Sequence, residues 1–216
     1  MANDKIIACI CEGSAESVIV NKLMDAGKLI FTRDDLLDNE VLRCRSARKF
    51  EDRYLGKGFT KKITVYRFLD SRKEDFKLRK VYEAKVDVVN VITAPEIEML
   101  IIVHKGKYAE YSRVKSHIKP SEFCKETLKL PSVKTAEFIE NYFSDIEDLL
   151  YAIKEYKRLS NIPKNEKCLA DLIIEWKIAK SAMSTIVDIA LFFVSNIRLE
   201  QCLEKKYFWR NIVNKS

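Results

Sequence analysis

Glycine and proline are scarce, five and four in 216 residues. So few turn-formers exclude a turn-rich β-sandwich, a collagenous chain and a disordered linker, and they favour helices joined by short loops. Histidine is scarcer still, limited to His104 and His117, and none of the six cysteines (Cys9, Cys11, Cys44, Cys124, Cys168 and Cys202) forms a Cys-x-x-Cys pair. The ligand spacing of a structural zinc site is therefore absent. No apolar run reaches bilayer length, since the longest, residues 186–194, is broken by Asp188. The chain opens on MANDKII rather than on a signal-peptide pattern, so reduced, structural cysteines in a cytoplasmic protein are expected. A G-x-x-x-x-G-K-[ST] phosphate loop is also missing, so any nucleotide hydrolysis has to come from another protein.

What is present is apolar and charged sequence in alternation. Hydrophobic residues make up 47% of the chain and charged ones 33%, enough to build a sizeable core. Lys and Arg outnumber Asp and Glu by 39 to 32, giving a formal charge of +7. That excess predicts an anionic partner, nucleic acid first and an acidic membrane surface second. Residues 5–11 (KIIACIC) read as a buried strand with Cys9 and Cys11 on one face, and a helix follows from Ser14 to near Gly27. Short strands are expected at 29–31 and 40–44, a charged helix at 46–54, a clear strand at 62–69 (KITVYRFL), a helix at 74–85 and a strand at 86–92 (VDVVNVI). Pro95 fits the first turn of another helix. Strands separated by helical segments predict βαβ units and an α/β fold with a largely parallel sheet flanked by helices. From residue 107 onward the pattern is helical, with helices expected at 121–128, 135–156, 168–182 and 184–205. The simplest division is an α/β core over 1–106 and a helical extension over 107–216, although the helices and sheet could also form one body.

Functional groups in such sheets collect where strands end. Acidic residues stand at three of these points: Glu12 after the first strand, Asp70 after KITVYRFL, and Glu96 and Glu98 after VDVVNVI. Carboxylates brought together repel one another unless a cation lies between them, and hard oxygen ligands suit Mg²⁺ or Mn²⁺. A divalent ion held there polarises a phosphodiester and activates water. The structural alternative is that Glu12 caps a helix, Asp70 begins one, and Glu96 and Glu98 are solvated first-turn residues.

Three ordered segments carry a family resemblance. Residues 10–16 read ICEGSAE, VYRFLD ends at Asp70, and residues 94–104 read APEIEMLIIVH. The first resembles the opening motif of TOPRIM domains, and the second sits where those domains carry Asp-x-Asp. The third resembles the Pro-x-x-Glu…His signature of the RloB-like branch, alongside the overcoming-lysogenization-defect nucleases of phage defence. The resemblance spans roughly residues 5–105. It implies a TOPRIM-like fold in which Glu12 is general base or metal ligand, Asp70 a metal ligand, Glu98 the signature glutamate and His104 its histidine. Arg72 stands where the second aspartate belongs, so Glu74 or Asp75 would have to complete the metal set. Otherwise the site holds one ion rather than two, or has lost activity. Arg72 itself is either a phosphate contact or an exposed partner of Glu74 or Asp75. His104 is either a proton carrier or a histidine at the core's edge.

A basic stretch adds to this. Residues 43–80 hold fourteen Lys and Arg against five acids, an excess larger than the whole chain's net charge. Arg43, Arg45, Arg48, Lys49, Lys57, Lys61 and Lys62 are its candidate phosphate contacts, with Tyr54, Phe59 and Tyr66 interleaved. The bland counterpart is a solvated face. The combined expectation is a Mg²⁺- or Mn²⁺-dependent nuclease cutting DNA or RNA, tRNA included. Its catalytic residues would be Glu12, Asp70, Arg72 and Glu98, and its metal ligands Glu12, Asp70, Glu98 and Glu74. The resemblance adds a phage-defence role and a partner ATPase, and a homo-oligomer is open. The other reading is an inactive nucleic-acid-binding or regulatory subunit, with a structural adaptor as a third.

Overall fold

Three apolar runs rich in Ile and Val make the sheet. The computed structural model describes residues 6–56, 61–69, 75–93, 97–163 and 165–174. Strands β1 (Ile6–Cys11), β2 (Ile63–Leu69) and β3 (Val86–Ile92) pair in parallel in that order, with β2 central. The register runs from Ile6, Ile63 and Val86 at one end to Cys11, Phe68 and Val91 at the other, so all three strands finish at the same edge. One face of the sheet buries Ala8, Ile10, Ile63, Val65 and Val86 together with Leu42, Phe50, Phe76 and Leu78. Cys9, Cys11, Phe68 and Val91, which alternate with these, are equally buried. Burial on both faces is why β1 and most of β2 read as continuous apolar runs, whereas β3 exposes Asp87, Val88 and Asn90. Cys9 and Cys11 are free thiols on one face, and Cys11 is pushed well up by its hydrogen bond with Cys9 and by burial.

Helix α1 (Ser14–Asp25) follows β1 and buries Ala15, Ile19, Val20 and Leu23 at helical spacing. It stops at Gly27, whose φ of +65° lets its N–H reach the Met24 carbonyl (2.9 Å) and the Lys28 N–H that of Leu23 (2.8 Å). Short α2 (Ala47–Phe50) is capped by the Ser46 hydroxyl, which accepts from the Lys49 N–H. A π-turn, Glu51–Leu55, continues it. Helix α3 (Lys80–Glu83) precedes β3. After β3 come α4 (Met99–His104), α5 (Tyr108–Val114), α6 (Pro120–Glu126), α7 (Ala136–Tyr142) and α8 (Ile146–Leu159). Helix α7 packs on α1 and α8 on α4. Among the described residues no helix is long and apolar enough to cross a membrane.

Several expected elements differ. The helix over 74–85 contracts to α3. Phe76 and Leu78 are buried while Asp75, Lys77 and Arg79 are exposed, a period of two in an extended segment. Val81, counted toward a helical apolar face, is 70% exposed. The short strands at 29–31 and 40–44 reduce to single bridges, Leu29 with Ile173 and Leu42 with Ile10. The helix over 135–156 breaks into α7 and α8, because the Asp145 carboxylate accepts from the Glu147 N–H and starts a new helix. In place of a helix from residue 168, Leu169–Leu172 forms a 3₁₀ turn. The expectations for 175–216 lie outside the described residues.

Candidate functional site

The carboxyl edge of the sheet is where chemistry-bearing side chains meet. Strand β1 ends at Cys11, and Glu12 and Gly13 turn the chain into α1. The ends of β2 and β3 are tied there by Thr93, whose N–H (2.8 Å) and hydroxyl (2.9 Å) both donate to the Leu69 carbonyl. Glu98, at the start of α4, is 3% exposed. A cleft of about 220 Å³ lies between these parts, lined by Gly13, Ser14, Ala15, Glu16, Ile97, Glu98 and Lys134. Glycine at 13 leaves room for the Glu16 carboxylate, since a Cβ there would stand 2.1 Å from Glu16 Oε2 unless that side chain moved. The buried Glu16 carboxylate therefore folds back over the turn that follows Glu12.

Each flanking carboxylate has a cation beside it. Lys134 reaches in from the loop between α6 and α7, with Nζ 3.8 Å from Glu98 Oε1. Arg67 projects from the middle of β2, with Nη2 3.8 Å from Glu12 Oε1, and both side chains are buried (1% and 5% exposed). The register places Arg67 between Ile10 and Asn90, and its Nη1 lies 3.5 Å from Asn90 Oδ1. Its guanidinium covers the Phe76 ring at 4.5 Å. A charge inside a sheet persists only with a fixed counter-charge, and Glu12 provides one.

The expected site residues fall into three groups. Glu12 and Glu98 come to the same edge. Asp70, Arg72 and Glu74, together with Lys57, lie outside the described residues. His104 is roughly 9 Å along the helix axis from Glu98, six residues at 1.5 Å each. It sits in an aromatic cluster, with Nδ1 2.9 Å from the Tyr142 hydroxyl and Nε2 3.6 Å from Asp148. Burial, with Cys124 and Asp148 close by, pushes the Tyr142 phenol up to about 12, so it keeps its proton beside His104. This favours the core-edge role for that histidine. Glu16, Arg67 and Lys134 were not singled out from the sequence. Arg67 had a signal, a lone charge within an apolar strand.

The basic stretch does not line one wall. The Leu42 N–H donates to the Cys9 carbonyl and its own carbonyl accepts from Cys11, so exposed Arg43 and Arg45 leave from the carboxyl end of β1. Arg48 and Lys49 are exposed on α2, which follows in the chain. Lys61 and Lys62 precede β2 and so stand at the opposite edge, where Lys62 pairs with Asp87 at 2.7 Å. Arg67 is inside the sheet, and Arg79 is committed to Glu51 (2.6 Å). Tyr54 packs against Phe50 and Tyr66 stacks on Phe31, so these two rings belong to packing.

Glu12 and Glu98 carry hard oxygen donors of the kind Mg²⁺ or Mn²⁺ takes, and each already faces a cation, Arg67 and Lys134. Among the described residues no three acidic, histidine or cysteine side chains stand together as a ligand set. No family model, curated protein or solved structure matches this chain.

Proposed function

We propose that this chain is a TOPRIM-like nuclease of the cytoplasm that hydrolyses DNA or RNA phosphodiesters with a divalent cation. The observation that carries the reading is that two buried carboxylates, Glu12 and Glu98, follow the ends of β1 and β3 in a parallel sheet whose strands finish at one edge. Glu12 and Glu98 would hold Mg²⁺ or Mn²⁺, with Asp70 and Glu74 as the further ligands the sequence offers. Such an ion supplies Lewis acidity toward a phosphoryl oxygen and lowers the pKa of bound water. Arg67 fixes the orientation of Glu12, and Lys134 faces the cleft mouth, where an anionic substrate would enter. A phage-defence setting and a partner ATPase follow from the sequence resemblance alone.

A second reading is supported by the Arg67–Glu12 pair, in which a buried guanidinium already neutralises the principal carboxylate. On that reading the chain binds nucleic acid without cutting it. The test is incubation of the purified chain with plasmid, single-stranded DNA and total tRNA, in Mg²⁺, Mn²⁺ or chelator. Metal-dependent cleavage that Glu12→Gln loses supports the nuclease. Equal cleavage in chelator, or full activity in Glu12→Gln, refutes it. Binding without cleavage in every arm supports the second reading.

A further inference from the structure

We infer that the groove along the loop between α6 and α7 is a track for single-stranded nucleic acid, with a base stacked on Phe138. The inference rests on the nucleic-acid binding common to both readings above and names the form of nucleic acid held. Lys125, Ser132, Lys134 and Thr135 line a depression of about 330 Å³ over that loop. Ser132 and Thr135 also border a second depression, of about 540 Å³, which continues to the rings of Phe138 and Tyr142 on α7.

Phe138 and Tyr142 stand one helical turn apart and stack with centroids 5.4 Å apart and planes 18° from parallel. Both rings are half-buried. Tyr142 is held from several sides. Its hydroxyl meets His104 Nδ1 at 2.9 Å, its ring stands edge-on to Phe143 at 4.8 Å, and Lys105 Nζ lies 5.5 Å from its centre. Phe138 therefore rests on a fixed ring, and a base arriving on it has little of the protein left to order. The charge suits a phosphate backbone. Residues 115–134 hold five Lys against two Glu, and all five lysines are exposed. Lys125 and Lys134 line the groove and Lys105 stands at its end, against the carboxylates of Glu122 and Glu137. With the charges so nearly matched, stacking must do the discriminating. A duplex hides its base faces in its own stack, whereas a single strand presents them, and an aromatic ring accepts any base.

Fluorescence anisotropy of the full wild-type chain in chelator tests this, with a labelled single-stranded oligodeoxynucleotide, the matching oligoribonucleotide and the matching duplex. A single strand should be held more tightly than the duplex, although the duplex carries the denser phosphate charge. The tighter of the two single strands assigns DNA or RNA to the track. Phe138→Leu, which keeps apolar bulk but removes the ring, should weaken single-strand binding at least about fivefold. Phe138→Tyr, which keeps the ring, should bind as wild type does. A duplex held as tightly as either single strand, or wild-type affinity in Phe138→Leu, would overturn the inference and leave nucleic-acid binding standing. No binding in any arm would remove that binding and this inference with it. The wild-type comparison decides by itself, whether or not Phe138→Leu folds.

Discussion

Arg67 holds a full positive charge in the buried interior of the sheet, and the residues around it are arranged accordingly. At about 4 Å and an effective dielectric near 20, the attraction to Glu12 amounts to about 4 kcal/mol, much of it offset by desolvation of both groups. The pair therefore adds little net stability, but losing one member strands the other. Arg67→Met should destabilise the fold by roughly 3–5 kcal/mol in urea unfolding. Adding Glu12→Gln should recover roughly 0.5–3 kcal/mol of that, because the stranded charge is gone. A double variant as unstable as the sum of its parts would show that the two groups are not energetically coupled. Gly13 makes a contrasting case. Its φ of −107° is open to any residue, so Gly13→Ala should change stability by less than about 1 kcal/mol. The new Cβ must instead push the Glu16 carboxylate out of its position over the turn, which a crystal structure of the variant would reveal. At this scale the sequence revealed Glu12 and Glu98, because both follow strand ends. It hid Lys134, which is brought to Glu98 from 36 positions away by tertiary packing.

The elements that could be read from the chain are those whose own periodicity decides their structure. Strands β1 and β2 are largely buried, β3 is an unbroken β-rich run buried at its two ends, and α1 carries its apolar residues at 3.6 spacing and ends at a glycine. The segment 74–85 mimics a helix because Phe76 and Leu78 alternate inward while Val81 and Tyr82 fall where the next helical turn would lie. The break between α7 and α8 was present as Ser144-Asp145, a capping signal inside an apolar pattern. One connection between elements carries a pH dependence. Asp171, in the 3₁₀ turn, accepts from the Cys168 N–H (3.0 Å), the Lys157 ammonium of α8 (3.1 Å) and the Cys168 thiol (3.3 Å). Burial acts to raise its pKa, but these donors outweigh it and hold the carboxyl below its ordinary value. A carboxyl with a depressed folded-state pKa stabilises the fold above its unfolded value of about 3.9, and that contribution is lost as the pH falls through the folded value. Wild-type stability should thus drop in acid more steeply than that of Asp171→Asn, as read from urea midpoints between about pH 5 and pH 2. Parallel curves would show that Asp171 does not contribute.

At the scale of the whole molecule, the parallel sheet separates charges that are neighbours in the sequence. Seven residues of β2 at about 3.3 Å each put roughly 20 Å between Lys61 and Lys62 at one edge and the carboxylate edge at the other. Arg43 and Arg45 leave from the carboxyl end of β1 and are exposed, and Arg48 and Lys49 are exposed on the short helix that follows. A phosphate backbone held at the carboxyl edge would therefore meet Arg43 and Arg45 and not Lys61 and Lys62. Charge reversal at Arg45, Arg48 and Lys49 should weaken nucleic-acid binding and flatten its dependence on log salt. Each lost phosphate contact removes roughly 0.9 from the slope for duplex DNA. Reversal at Lys61 and Lys62 should alter the slope much less, because Lys62 is already paired with Asp87 and both residues face the far edge. Fluorescence anisotropy with a labelled duplex over a salt series measures both slopes side by side. Equal losses in the two variants would mean that nucleic acid tracks the overall charge of the protein, and that the carboxyl edge has no privileged part in holding it.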